Sequence, residues 1–456
     1  MDTYRNVTTL YDIEIVNRRE ISDRILFEAK WAEPRDEIEA CRRCRSVEAK
    51  LVRNGWSLAK INDTPWGGKP VGIRLKKQRY RCKECGGTFT SEHPAVCDNR
   101  HMTRRLAQKI REDGLKSPRI EALADRFGIS VGSVWNLLED RIEKLSNRVP
   151  PSPMRILGID ALHLSPGDPC TVFTDLWHGT VIELLESNSK PDIWEALKEI
   201  VPDPQIKPDV HVPEEYGTWR DWGVVAVVMD MDTRYRDVAQ DVIPRAKVIV
   251  DRFHIVDKAS EALTKVRRRA TSEKDKERRE KRKAEGKSED DESYVTKWKR
   301  KKDVFGRRWE SLSPAEQLRL EQDLQQVPDL KDAYFAYDGF KKIFDLNDAD
   351  EAREALQTWE RRLPESIEEE FETVTRPLSN WREEILNYFR FTYKYTNGGT
   401  EGLNRAIRQI SREGVGHTSF DVLKAKVLER LGPQIETHRE RHGGASVFSG
   451  KPKSVQ

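Results

Sequence analysis

The sequence predicts a multidomain α+β protein on three observations. Two C-x-x-C pairs stand near the start, a short two-helix pattern follows, and the chain then runs as strands alternating with helices. At roughly 100–200 residues per domain, 456 residues accommodate two to four domains. Hydrophobic residues are only 37% of the chain, but 12 Trp, 14 Phe and 11 Tyr supply side chains large enough to build cores, which excludes wholesale disorder. No run of about 18 apolar residues occurs, and Met1-Asp-Thr-Tyr-Arg5 lacks a charged-then-apolar leader, so a soluble, intracellular protein is expected.

The formal net charge of +3 hides a strong asymmetry. Residues 41–105 hold 16 Lys+Arg against 5 Asp+Glu, and residues 265–302 hold 17 against 9, so the remainder is acidic. Concentrated positive charge is the footprint of a polyanionic partner, most often nucleic acid. For the second block, where signs alternate, a solvated, self-compensating surface accounts for the pattern equally well.

Cys41-Arg-Arg-Cys44 and Cys82-Lys-Glu-Cys85 have the spacing of tetrahedral zinc, each pair offering two thiolates to one ion, with flanking Arg and Lys favouring the thiolate form. Between them Val71, Ile73 and Leu75 alternate with smaller or polar residues, as in a half-buried strand, and the whole reads as a zinc ribbon. Disulfides do not suit an intracellular chain, and two pairs without a thioredoxin-like context do not suit a redox site. Cys97 and Cys170 read as buried thiols.

Ile120 to Leu138 has the pattern of a helix-turn-helix. Ala124 is small enough for two helices to approach, Gly128 supplies the turn, and Ser130 caps a second helix whose Val134, Leu137 and Leu138 face inward. Ser130, Ser133 and Asn136 are then placed to reach bases or phosphates in a major groove, whereas the competing reading is an ordinary helical pair in a core.

From about Met154 the expected elements are a strand at Arg155–Asp160 and a hairpin, Thr171–Leu176 and Thr180–Leu185, turning at His178-Gly179. A helix at Asp192–Val201 and a Pro-rich loop, Pro202–Pro213, come next. Gly223–Asp230 is apolar almost throughout, as in a strand buried on both faces. A helix at Thr233–Val242 and a strand at Ala246–Val250 lead to Asp251-Arg-Phe-His254. Three strands, helix, strand, helix, strand, helix is the order of a ribonuclease H-like mixed α/β core. In that order the strands carrying Asp160 and Asp230 are neighbours, and their carboxylates are suited to hold two Mg²⁺ or Mn²⁺ ions at a phosphodiester. A third acid is then wanted from a later helix. Glu401, after Thr400 in Thr396-Asn-Gly-Gly-Thr-Glu-Gly-Leu-Asn404, is a candidate that spacing alone supports weakly. Asp251 and His254 shape the site or make structural hydrogen bonds, and Arg405 and Arg408 suit either phosphate contacts or surface ion pairs.

These residues resemble insertion-sequence transposases of the ISL-three group, which join a zinc ribbon, a helix-turn-helix and a DDE core. The resemblance runs from about Cys41 to Leu431. It rests on Asp63-Thr-Pro-Trp-Gly-Gly68, Tyr80-Arg-Cys-Lys-Glu-Cys85 with Phe89, Gly158-Ile-Asp160, Met229-Asp-Met231 with Tyr235, and Val250-Asp-Arg-Phe-His254. The last part is Asn397-Gly-Gly-Thr-Glu-Gly-Leu-Asn404 leading to Arg412, Gly414, Gly416 and Phe420. The resemblance implies a catalytic, Mg²⁺-holding triad of Asp160, Asp230 and Glu401, and Zn²⁺ on Cys41, Cys44, Cys82 and Cys85. Ala161-Leu-His163 departs from the acidic or aromatic residue that many relatives carry there.

The expected organisation is an N-terminal segment (1–40), zinc ribbon (41–98), helix-turn-helix (99–150), first part of the core (151–258), a charged, mainly helical insertion (259–390), the helical part of the core carrying Glu401 (391–435) and a flexible tail (436–456). Within the insertion, residues 265–302 fit a solvated helix, a DNA-contacting arm or a partly disordered linker. The implied function is a DNA transposase that binds the terminal inverted repeats of its element, cuts the ends and joins them to target DNA. It would work as a homodimer or higher oligomer on double-stranded DNA in the cytoplasm, on the nucleoid of a prokaryotic host. The alternatives are a non-catalytic DNA-binding regulator and a structure-selective nuclease of ribonuclease H-like fold.

Overall fold

A computed structural model describes residues 13–21, 23–31, 38–90, 93–97, 100–146, 154–165, 168–201, 223–286, 293–391, 394–413 and 419–433. The expected loop Pro202–Pro213, Gly414 and Gly416, and the 436–456 tail lie outside them. The chain is a mixed α+β protein that divides into two units, one formed by residues 1–148 with 407–456, the other by residues 149–406.

The first unit is built on a sheet of β1 (Glu14–Ile21), β2 (Arg24–Trp31), β3 (Leu51–Trp66), β4 (Lys69–Cys82) and β5 (Thr88–Thr90), in the order β1-β2-β4-β3 with β5 on β4. The strand expected around Val71 is half of a long hairpin that joins the two cysteine pairs. Gly67 and Gly68 make its turn at φ of 58° and 78°, a region other residues enter only at a cost. Strands β1 and β2 were not expected, although in Ile25-Leu-Phe-Glu-Ala-Lys-Trp31 every second residue is apolar and buried, the local mark of a half-buried strand. They belong because β2 lies parallel to β4, Phe27 opposite Ile73 and Ala29 opposite Leu75, and this adds Ile25, Phe27, Ala29 and Trp31 to the buried face.

Three helices follow the sheet, α1 (Arg104–Asp113), α2 (Ile120–Phe127) and α3 (Val131–Ser146). Gly128 closes α2 at φ 64°, and Ser130 Oγ accepts from the Ser133 N–H at 3.2 Å at the start of α3. Ala124, Val134, Leu137 and Leu138 are buried as expected. The C-terminal helix Phe420–Leu431 packs on α3, where Arg141 pairs with Glu429 at 2.9 Å, and the Lys426 ammonium donates to the Pro118 carbonyl.

The second unit is centred on a five-stranded sheet of β6 (Ile156–Ser165), β7 (Asp168–Asp175), β8 (Thr180–Leu185), β9 (Ala226–Met229) and β10 (Lys247–Val250), ordered β10-β9-β6-β7-β8. β6, β7 and β8 are antiparallel neighbours, while β9 and β10 run parallel to β6. The strand expected over Gly223–Asp230 is confined to its four fully buried residues, Ala226–Met229. Its side chains alternate between two cores. Val227 and Met229 face a cluster with Ile193 and Leu197 of α4 (Lys190–Ile200) and Tyr235 and Val238 of α5 (Thr233–Val242), whereas Ala226 and Val228 face Ile255 and Ala259 of α6 (Arg252–Glu285). Burial of each such Val, Leu or Ile side chain is worth ~1.5–3 kcal/mol, which is why a strand of only four residues holds its place between β6 and β10.

Of the charged stretch from Lys265, the described residues are helical as far as Glu285 and again over Tyr294–Arg300. One side of α6 is buried through Ile255, Ala262, Leu263, Val266 and Ala270, and Gly286 at φ 68° ends it. Arg269 reaches Asp329 at 2.9 Å and Glu370 at 2.6 Å, and the Asp275 carboxylate accepts from the backbone N–H groups of Tyr294 and Val295, starting the next helix. Helices Pro328–Ile343 and Glu368–Asn380 pack on α6, Pro314–Gln325 and Ala349–Arg361 pack on the first of these, and together they enclose a large aromatic core containing Trp298, Tyr334, Phe340 and Phe371.

Candidate functional site

The four paired cysteines converge. Their sulfurs all lie within 4.8 Å of one another, with Cys41–Cys85 at 3.9 Å and Cys44–Cys82 at 4.0 Å. A tetrahedral ion with bonds of about 2.3 Å sets its sulfurs about 3.8 Å apart, so the cluster has the size zinc requires. Both loops close alike. Arg45 N–H donates to the Cys41 carbonyl and Gly86 N–H to the Cys82 carbonyl, with Arg45 at φ 61° and Gly86 at φ 70°. Arg45 is the one non-glycine residue in this conformation among the described residues, a strain that folding around a metal explains. The Cys44 backbone N–H, opposed by burial and aided by the Arg43 N–H, holds the Cys41 thiol down at about 7.

In the second unit, strand register brings three carboxylates together. Ile159 pairs with Met229, and Met229 with Val250, so the next residue on each strand, Asp160, Asp230 and Asp251, falls at one edge of the parallel sheet. Asp160 is 9% exposed. Its Oδ1 accepts from the Ala161 N–H at 2.8 Å and its Oδ2 from Asn404 Nδ2 at 2.7 Å. Burial first, and then the charge of Asp230, push the Asp160 carboxyl up to about 7, with Glu401 acting in the same direction and the Ala161 N–H and His254 opposing. His254 Nε2 stands 2.7 Å from Asp230 Oδ1, and that contact raises the imidazole above its ordinary value against the effect of burial. Asp251 is fully buried and caps α6, its Oδ1 accepting from the Phe253 N–H at 3.2 Å; burial raises its carboxyl. Asp232, the near neighbour of Asp230, is taken up elsewhere: it caps α5 and pairs with Arg234 at 2.5 Å.

Glu401 lies in the first turn of the helix Gly398–Glu413 and is exposed, with Arg405 Nη2 at 3.7 Å from its Oε2. Arg405 itself is 76% exposed, and Arg408 is half-buried further along the helix. Two contacts anchor this helix to the sheet. Asn404, one turn after Glu401, reaches Asp160, and Thr400 Oγ1 shares a 2.8 Å hydrogen bond with Thr174 Oγ1 on β7. Both threonines sit over Gly158, where an added Cβ would come within 2.3 Å of Thr174 Oγ1 and 2.6 Å of Thr400 Oγ1. Asn404, Thr174 and Gly158 were not among the expected site residues. Asn404 carried a signal, its i+3 spacing from Glu401, whereas Thr174 is legible only through a partner 226 positions away.

The donor set fits divalent cations: hard carboxylate oxygens, one of them raised to about 7 by burial and then by the charge of Asp230, are relieved by positive charge placed among them. Among the expected contacts at and just before the start of α3, Ser130 and Ser133 bond each other at 2.8 Å and Asn136 is exposed.

Residues 157–427 match the family model of the ISL3 DDE transposase domain, described as a transposase, and residues 39–85 match that of the zinc finger of the transposases of IS204, IS1001, IS1096 and IS1165. The class defined by these matches is a transposase with an N-terminal zinc ribbon. The chain belongs to the ISL3 transposase family. It is 22% identical over 423 residues to the transposase for insertion sequence element IS1001 of Bordetella parapertussis, a likeness covering 91% of this chain and 94% of that protein. Among the described residues no helix is long and apolar enough to cross a membrane.

Proposed function

We propose that the protein is a DDE transposase that binds the terminal inverted repeats of its own insertion sequence, cleaves the element's ends and transfers them to target DNA. The sheet order β8-β7-β6-β9-β10, antiparallel on one side of β6 and parallel on the other, supports reading the second unit as a ribonuclease H-like core interrupted by the helical insertion. The left-handed Gly128 between α2 and α3 supports a helix-turn-helix, with Ser130, Ser133 and Asn136 on the DNA side. Assembly on two DNA ends calls for at least a homodimer.

The observation that carries the proposal is the buried, mutually repelling acid group around Asp160. Asp160 and Asp230 would hold Mg²⁺ or Mn²⁺, with Glu401 completing the set. Bound there, the ions supply activation of the attacking oxygen and neutralisation of the charge that gathers on the phosphate and the leaving oxygen. Asn404 keeps Asp160 oriented, His254 balances the charge on Asp230, and Arg405, freed from Glu401, is within the same helix turn to meet a phosphate. Asp251 fixes the start of α6 and thereby the position of His254.

The test is cleavage and joining of DNA carrying the element's ends, with Mg²⁺ or Mn²⁺, by the wild type beside Asp160→Asn, Asp230→Asn and Glu401→Gln. The expected result is loss of both reactions in all three variants while end binding persists. Undiminished cleavage by any one of them removes that residue from the triad, and cleavage without joined product in the wild type points to a nuclease.

A further inference from the structure

The first unit carries a cationic groove on the face of its sheet. Register places Lys60 on β3 directly opposite Arg74 on β4. Like charges facing each other on one sheet face destabilise the pair rather than adding to it. The Glu28 carboxylate beside them is shared between Arg74 at 3.9 Å and Arg19 at 3.7 Å. The groove, about 860 Å³, is lined on this face by the charged and titratable residues Arg24, Lys60, Arg74 and His101, and no carboxylate is among its lining residues. It ends at Gly128, the left-handed turn between α2 and α3, whose carbonyl accepts from Arg24 Nη2 at 3.5 Å.

A second groove on the same unit has the opposite character. It runs along the later turns of α3 and is lined by Glu139, Glu143 and Asp421 beside Trp135 and Asn136. A polyanion is drawn to the first groove and repelled by the carboxylates of the second, which leaves the earlier turns of α3, with Ser133 and Asn136, as the part of that helix open to it.

We propose that the groove over β2, β3 and β4 holds the sugar–phosphate backbone of duplex DNA and so orients the duplex against the start of α3. The inference rests on the DNA-binding reading above and adds to it a specific surface, outside the helix pair. Strand side chains of this kind position the duplex without reading its sequence.

Full-length, zinc-loaded protein is titrated by fluorescence anisotropy with a duplex bearing the element's end and with an unrelated duplex of equal length, across a salt series. Lys60→Gln with Arg74→Gln is expected to weaken both duplexes alike, by about tenfold at ~0.15 M salt, and to make the slope of log affinity against log salt shallower by about two. Lys144→Gln, an exposed lysine on α3 outside the cationic groove, is expected to change neither. Equal binding by the double variant and the Lys144 variant overturns the groove while leaving the DNA-binding reading intact; failure of the wild type to bind any duplex overturns both. Independently of folding in the variants, duplex DNA is expected to protect Lys60 of the wild type from amine acylation. Unchanged labelling, or protection by millimolar pyrophosphate as complete as by duplex, overturns the assignment.

Discussion

Asn404 Nδ2 donates to Asp160 Oδ2 at 2.7 Å across 244 positions of sequence, tying the helix that carries Glu401 to the central strand of the second unit. Both side chains are buried, so the bond is protected from water and fixes one carboxylate oxygen in place. The other, Oδ1, is held by the Ala161 N–H.

Asn404→Ala is therefore expected to lower Mn²⁺ affinity by about 10-fold or more, as loss of a ligand's supporting hydrogen bond commonly does. Calorimetric titration of the DNA-free protein checks it. A fall in melting temperature with unchanged Mn²⁺ affinity would reduce Asn404 to a packing residue.

Asp160→Asn is expected to stabilise the metal-free protein at high pH. The folded carboxyl is raised from 3.8 to about 7, so the fold disfavours its charged form. The penalty is absent below about pH 4, grows as pH rises through the window up to about 7, and is complete above it. The variant's advantage should be of the order of 2–4 kcal/mol at pH 8 and vanish near pH 4. Thermal melts across pH measure it, and added Mg²⁺ should close the gap at pH 8 by stabilising the wild type alone.

Gly158→Ala places a methyl 2.3 Å from Thr174 Oγ1 and 2.6 Å from Thr400 Oγ1. Overpacking of this kind costs ~1–3 kcal/mol and here pushes the Glu401 helix from the sheet. Denaturant melts should show the loss, and Thr174→Ser, which keeps the hydroxyl, should not relieve it. Full stability of Gly158→Ala would show that the helix is not seated so closely.

Zinc analysis should find one ion per chain, released by chelators and absent from Cys41→Ser and Cys82→Ser, the two buried ligands. Structural zinc of this type contributes ~10–16 kcal/mol to folding of small sites, so its removal should unfold the ribbon and abolish binding to element ends. Retention of end binding by the zinc-free protein would separate the ribbon from recognition.

Features that local chemistry encodes were legible in the sequence. The cysteine pairs state their ligand spacing, Gly128 and Gly179 mark left-handed turns, and the apolar run ending at Met229 announces a strand buried on both faces with Asp230 at its end. The hairpin strands expected at Thr171–Leu176 and Thr180–Leu185 and the helix Thr233–Val242 are present too, the first strand running from Asp168 to Asp175. Only the tertiary structure decided that β2 enters the ribbon's sheet parallel to β4, that Asp160, Asp230 and Asp251 align at one edge, and that Asn404, Thr174 and Gly158 seat the Glu401 helix. The physical reason is that periodicity and turn chemistry record what a residue meets within a few positions of itself. A hydrogen bond or a missing Cβ that matches a partner hundreds of residues away leaves no such pattern, and it exists only once packing has brought the two segments together.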